Sequence, residues 1–146
     1  MITKRQKSRK THDRDLHCIT IVGEPASKSN QRQLVKIKGR LVPIKSKKAL
    51  NYSKAFDQQC RKLKNLYEED LIIAIKIYYR SRRPDLDESL ILDLLQNKIY
   101  KNDRQVKLKY IEWGLDKENP RSIIVAGPLD KSEEVINTYQ KLVKDA

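Results

Sequence analysis

The chain has 146 residues, a length that suits one hydrophobic core better than several. Against 19 Asp and Glu stand 32 Lys and Arg, for a formal charge of +13, with 38% of residues hydrophobic and 35% charged. That balance points to a polyanionic partner, nucleic acid or an anionic membrane surface, because each cation that meets a phosphate releases condensed counterions. No apolar run nears the ~18 residues of a bilayer-spanning helix. The basic N-terminus is not followed by the apolar segment of a secretory signal. No membrane partner is therefore expected, and the cytoplasm is the expected compartment.

Residues 1–15, "MITKRQKSRKTHDRD", hold almost nothing apolar and many basic groups, so they read as a disordered arm ahead of one domain over 16–146. Such an arm either tracks phosphates or simply solubilises. Order begins at "LHCITIVG", a β-branched strand ended by Gly23, followed by a polar loop over 24–33. "LVKIKGRLVPIK" predicts two short strands turning at Lys38-Gly39, with Pro43 confining the second to an edge. From Ser46, a ready cap, a helix carries Ala49, Tyr52, Phe56, Cys60 and Leu63 on one face. "DLIIAIKIYYR" alternates Ile73, Ile75, Ile77 and Tyr79 with Ile72, Ala74 and Tyr78, which predicts a central strand buried on both faces.

Pro84 stops that strand, and a helix is expected from about Asp87 to Lys98, then a turn at "YKND". "QVKLKYIEW" and "SIIVAG" predict two further strands. A closing helix starts near Asp130, which with Glu133 makes a capping-box pattern, and buries Val135, Ile136, Tyr139, Leu142 and Val143. The class is α+β, a mixed or antiparallel sheet with helices packed on it. Cys18 and Cys60 lack the spacing of a zinc site or disulfide framework and read as reduced thiols; His12 and His17 read as surface residues. Trp113, Tyr78, Tyr79 and Tyr110 fit sheet core or a dimer interface better than base stacking, though stacking on unpaired bases stays open.

One stretch departs from the basic background: "RRPDLDESLILD" sets Asp85, Asp87, Glu88 and Asp93 close together. Asp85 and Asp87, two apart in extended chain, point to one side. At ~100° per residue, Asp87 also shares the apolar face of Leu90, Ile91 and Leu94. Two readings follow. Asp87 caps the helix while Asp85 pairs with Arg82 or Arg83, or the carboxylates share a divalent ion with water and phosphate oxygens. Asp103, after the helix, is either a turn residue beside Asn102 or a third carboxylate returned toward the first two by a strand–helix–strand unit. Three such carboxylates would repel one another without a cation.

"RRPDLDESLILDLLQNKIYKNDRQV" resembles the core motif of the RusA family of crossover-junction endodeoxyribonucleases, whose members carry "RPDLDN", a helix with "LLDAL" and then "DDxQV". "ITIVGEPASKSNQR" resembles the family's opening strand and loop, and "KSKKALNYSKAF" the segment after its hairpin, so the resemblance covers roughly residues 19–127. It implies a RusA-like fold and a homodimer. It implies Mg²⁺-dependent nicking of four-way DNA junctions, with Mn²⁺ tolerated, in recombination and repair. The metal-binding and catalytic residues fall on Asp85, Asp87 and Asp103. Arg82, Arg83, Lys101, Lys28 and Arg32 fall on the DNA side. A bacterial or phage-infected host cell is the setting the family implies.

Three positions depart from the family pattern. Glu88 stands where Asn is usual, Ile91 where the helix carries Lys, and Asn102 where Asp precedes the third ligand. Lys98 or Lys101 could reach in for the missing lysine, or Glu88 could join the metal shell. Two other functions stay open beside the resolvase: a non-catalytic DNA- or junction-binding protein, and a nuclease acting on other branched nucleic acid.

Overall fold

The computed structural model describes residues 16–146; the expected arm over 1–15, His12 included, lies outside them. Four strands build the main sheet: β1 (His17–Val22), β4 (Leu71–Tyr79), β5 (Val106–Leu115) and β6 (Arg121–Pro128). Their order is β1-β6-β4-β5, with β1–β6 and β6–β4 antiparallel and β4–β5 parallel. The sheet is mixed and the class α+β, as the sequence predicts. Among the described residues no helix is long and apolar enough to cross a membrane.

β4 is central because both its faces are apolar. Leu71, Ile73, Ile75, Ile77 and Tyr79 pack into the larger core under α1 (Lys47–Gln59) and α2 (Ser89–Leu95). Ile72 and Ala74 meet Val135 and Tyr139 of α3 (Ser132–Asp145) on the opposite face. The remaining strands, β2 (Arg32–Ile37) and β3 (Arg40–Lys45), form a separate antiparallel hairpin. It turns at Lys38 (φ 52°) and Gly39 (φ 77°). Two consecutive positive φ values are the geometry that suits the twist of a tight hairpin.

Ser46 caps α1 as its sequence position suggests. Its hydroxyl oxygen accepts from the Ala49 N–H at 3.2 Å and the hydroxyl donates to the Asn30 carbonyl, tying the helix to the preceding loop. Ser46→Ala is expected to cost about 1 kcal/mol and lower Tm by about 2–4 °C in a thermal melt.

Three helix boundaries differ from expectation. α1 ends at Gln59, because Cys60 turns extended, and Leu63 instead donates its N–H to the Lys98 carbonyl at 2.8 Å. α2 runs only from Ser89 to Leu95: Gln96 is extended and Asn97 takes φ 67°, a left-handed conformation that Asn tolerates. Asp87 thus lies before the helix and does not share its apolar face. In the last helix Asp130 belongs to a preceding 3-10 turn, so the capping box does not form, and Leu142 is exposed rather than buried.

Cys60 is buried and Cys18 exposed, both free. His17 is half-buried in β1 rather than a surface residue, and burial lowers its pKa.

Candidate active site

β4 delivers the acidic segment to the edge of the sheet. Past Tyr79 the chain does not leave the sheet but doubles back along β5. The Trp113 indole N–H donates to the Pro84 carbonyl at 3.0 Å, and the Lys109 ammonium donates to Glu88 Oε2 at 2.6 Å. Trp113 lies opposite Ile77 and Lys109 opposite Ile73, so the stretch Pro84–Glu88 retraces β4 toward its start. Tyr79 stacks on Trp113 with ring centroids 5.8 Å apart, and its hydroxyl accepts the Asp87 N–H at 3.2 Å. These anchors hold the chain on either side of Asp85 and fix Asp87 itself, leaving Asp85 exposed and Asp87 half-buried.

Asp87 is gripped from two sides. Oδ2 accepts the backbone N–H of Lys28 at 2.6 Å and Oδ1 that of Ser89 at 2.9 Å. Burial works against its charge. The Ser89 backbone and hydroxyl, then the Lys28 N–H and the Lys28 charge, outweigh burial and hold its carboxyl below the usual carboxylate range. Asp87 is not the helix cap, a position that Glu88 holds without a side-chain bond, but its Oδ1 does accept from Ser89, the first residue of α2. The same carboxylate also ties the 24–33 loop to the acidic segment. Asp85 pairs with neither Arg82 nor Arg83, which are both exposed.

Asp103 opens a short 3-10 turn just before β5 and is exposed; its N–H donates to Gln96 Oε1 at 3.0 Å. The turn is held by Gln105. Its Oε1 accepts from Lys101 and Asn102 N–H at 3.0 and 2.9 Å, and its Nε2 donates to the Tyr67 and Glu69 carbonyls at 2.9 and 3.0 Å. Asn102 completes a capping box with it. Because β4 and β5 are parallel, Asp103 stands at the end of the sheet where β4 begins, and the acidic segment folds back only part of the way toward it. Among the described residues no three His, Cys, Asp or Glu side chains stand together closely enough to hold one metal ion. Asp85, Asp87 and Asp103 therefore do not stand as one three-carboxylate coordination group among the described residues.

The basic residues divide. Arg82, Arg83, Lys28 and Arg32 are exposed, whereas Lys101 is engaged by Glu68 at 2.6 Å and Lys98 by Asp57 at 3.2 Å. Ile91 is fully buried in the core, and the lysines that the fold brings to the acidic segment are Lys28, at Asp87, and Lys109, on Glu88. Lys109, Glu24 and Tyr79 were not singled out as site residues in the sequence, because their partners lie far away along the chain. Glu24 accepts the Arg80 N–H at 2.9 Å and reaches the Lys48 ammonium at 3.3 Å. Of the aromatic residues, Tyr79 and Trp113 belong to the core, and Tyr78 lies under the Arg121 guanidinium at 4.1 Å from its centroid.

A basic chain that carries an exposed Asp85 and a half-buried, hydrogen-bonded Asp87 just past its central strand, next to exposed arginines, has the features of a phosphodiester-cleaving protein. A scan against protein-family profiles matches residues 23–125 to the family described as Endodeoxyribonuclease RusA, a span that takes in the hairpin, β4, the acidic segment, β5 and most of β6. The chain belongs to the RusA endodeoxyribonuclease family. Its members are nucleases of Holliday junctions and depend on divalent metal in general. A search of curated proteins returned no match.

The donor chemistry suits such a metal. Hard divalent ions of the Mg²⁺ type bind through one or two carboxylates, with water and substrate phosphate oxygens completing the shell. The exposed Asp85 carboxylate and the Asp87 carboxylate, kept ionised by its hydrogen bonds, would offer oxygen donors of that kind.

Proposed function

We propose that this protein is a Mg²⁺-dependent endodeoxyribonuclease that resolves four-way DNA junctions by paired symmetric nicks, acting as a homodimer. The observation that carries the reading is the Asp87 carboxylate. It is held ionised by two backbone N–H groups beside an exposed Asp85, in a chain of +13 charge.

Asp85 and Asp87 would hold the ion, and Asp103 is the third catalytic carboxylate that the family motif assigns. When bound, the ion supplies charge stabilisation at the phosphorus oxygens and acidifies a water. Mn²⁺ offers the same oxygen preference and would serve in its place. The chain's own groups do the rest. Lys28 and Ser89 fix the Asp87 carboxylate through their N–H groups, and Trp113 holds Pro84 and so sets the approach of Asp85. Arg82 and Arg83, with Lys28, Arg32 and Lys101, would grip phosphates on either side of the cut. Glu88, already committed to Lys109, anchors a cation beside the acidic segment rather than offering a free ligand.

A two-fold dimer supplies two equivalent cuts at a symmetric branch point. The competing reading, junction binding without cutting, draws on the lack of a three-carboxylate cluster among the described residues. Cleavage of a four-way junction beside linear duplex and a flap separates the two.

A further inference from the structure

α1 and the end of β4 enclose an open cleft of about 720 Å³ that none of the site residues above explains. Lys47, Lys48 and Asn51 line it from the first turns of α1, Arg80 and Ser81 from the far side, and Glu24 from below. Glu24 is the one acid among these described residues, and both its oxygens are taken, by the Lys48 ammonium and by the Arg80 backbone N–H. Neither Lys47 nor the Arg80 guanidinium forms an ion pair with a described residue. Both side chains are exposed.

Lys47 and Lys48 also occupy the helix's first turn, which contains no acidic residue. The positive end of the helix dipole disfavours cations there and favours an anion. A second hollow of about 190 Å³ shares Lys48 and continues past Tyr79 and Arg83 to Pro84, the residue before Asp85.

We infer that this cleft is a binding site for the DNA sugar–phosphate backbone, a trough that leads one strand from α1 along Arg80 and Arg83 to the carboxylates. The inference rests on the nuclease reading above and adds Lys47, Asn51 and Arg80 to it. Two hollows joined at one lysine suit a chain of phosphates better than a single free phosphate, which would need only one of them.

The test is anisotropy of a labelled four-way junction titrated with the full chain over a range of salt concentrations, without divalent metal. Lys47→Gln/Arg80→Gln is compared with wild type and with Lys141→Gln/Lys144→Gln, two exposed α3 positions away from the cleft. Each lost phosphate contact removes about 0.9 from the slope of log K against log salt. The cleft variant should therefore lose about 2 from that slope and bind about 10-fold or more weakly, while the α3 variant keeps the wild-type slope. Asn51→Asp, an exposed helix position facing the cleft, should weaken binding in the same direction and covers the case of a misfolded double variant.

Wild-type slope and affinity in the cleft variants would overturn the inference and leave the nuclease reading standing. A wild type that binds no junction would overturn both. If free inorganic phosphate at low millimolar concentration displaces junction from wild type but not from the cleft variants, the cleft is a single-phosphate site and the trough is wrong.

Discussion

Asp87→Asn is expected to slow junction cleavage by about 10³-fold while junction binding stays the same or tightens. The metal contribution to phosphodiester hydrolysis is several kcal/mol, and each 1.36 kcal/mol is a decade in rate. Removing one negative charge from a phosphate-facing edge works in the opposite direction on binding, because the carboxylate repels DNA when no metal is present. The fold should tolerate the change. Asn keeps one carbonyl oxygen to accept from Lys28 or Ser89, and the hydrogen bond it loses is worth about 1 kcal/mol. Parallel cleavage and gel-shift assays read the two effects separately, and a variant that still cuts at the wild-type rate in Mg²⁺ would move the site elsewhere.

The ionisation of Asp87 carries a pH consequence. Its folded pKa is depressed, so its contribution to stability is fully present above the unfolded value of about 3.9 and is lost as pH falls through the lower folded value. At neutral pH the carboxylate is charged throughout, and any acid limb of activity near pH 6 must come from another group.

The second large effect is expected at Gln105, which touches no carboxylate. Gln105→Ala removes four hydrogen bonds at once, two that close the turn carrying Asp103 and two that bind that turn to the chain before β4. With exposed bonds at the low end of ~0.5–1.5 kcal/mol each, the loss is about 2 kcal/mol, or a Tm lower by about 4–8 °C. If Asp103 takes part in catalysis, its displaced turn should also cost about 10–100-fold in cleavage, the usual penalty for losing a supporting contact. Glu retains the acceptor and loses the two donors, so Gln105→Glu should fall between Ala and wild type in both readouts. A stability loss with undiminished cleavage would remove Asp103 from the active site.

The sequence made legible what depends on near neighbours. β4 alternates two apolar faces, so its place at the sheet centre followed from composition alone, and Lys38-Gly39 and Ser46 announced the hairpin turn and the helix cap. The acidic segment stood out because it gathers four carboxylates within nine positions of a chain in which Lys and Arg outnumber Asp and Glu, and the family resemblance was carried by the same residues. What could not be seen were long-range partners. The grip of Lys28 on Asp87, Glu24 on Arg80 and Lys109 on Glu88 joins positions that share no local pattern. Asp87 and Ser89 exchange a short-range bond that reads equally well as a helix start, which is why α2 was expected two residues early. The parallel pairing of β4 with β5 had no signature in either strand. That pairing puts the turn carrying Asp103 at the end of the sheet where β4 begins.

The central claim is tested most directly by strand-mapped cleavage of a synthetic four-way junction, beside linear duplex and a flap, in Mg²⁺ and in EDTA. Paired, symmetric nicks in the junction alone, lost in EDTA, are the predicted result. Tight junction binding with no nicks in either Mg²⁺ or Mn²⁺ would contradict it, and would make this chain a junction-binding member of a cutting family.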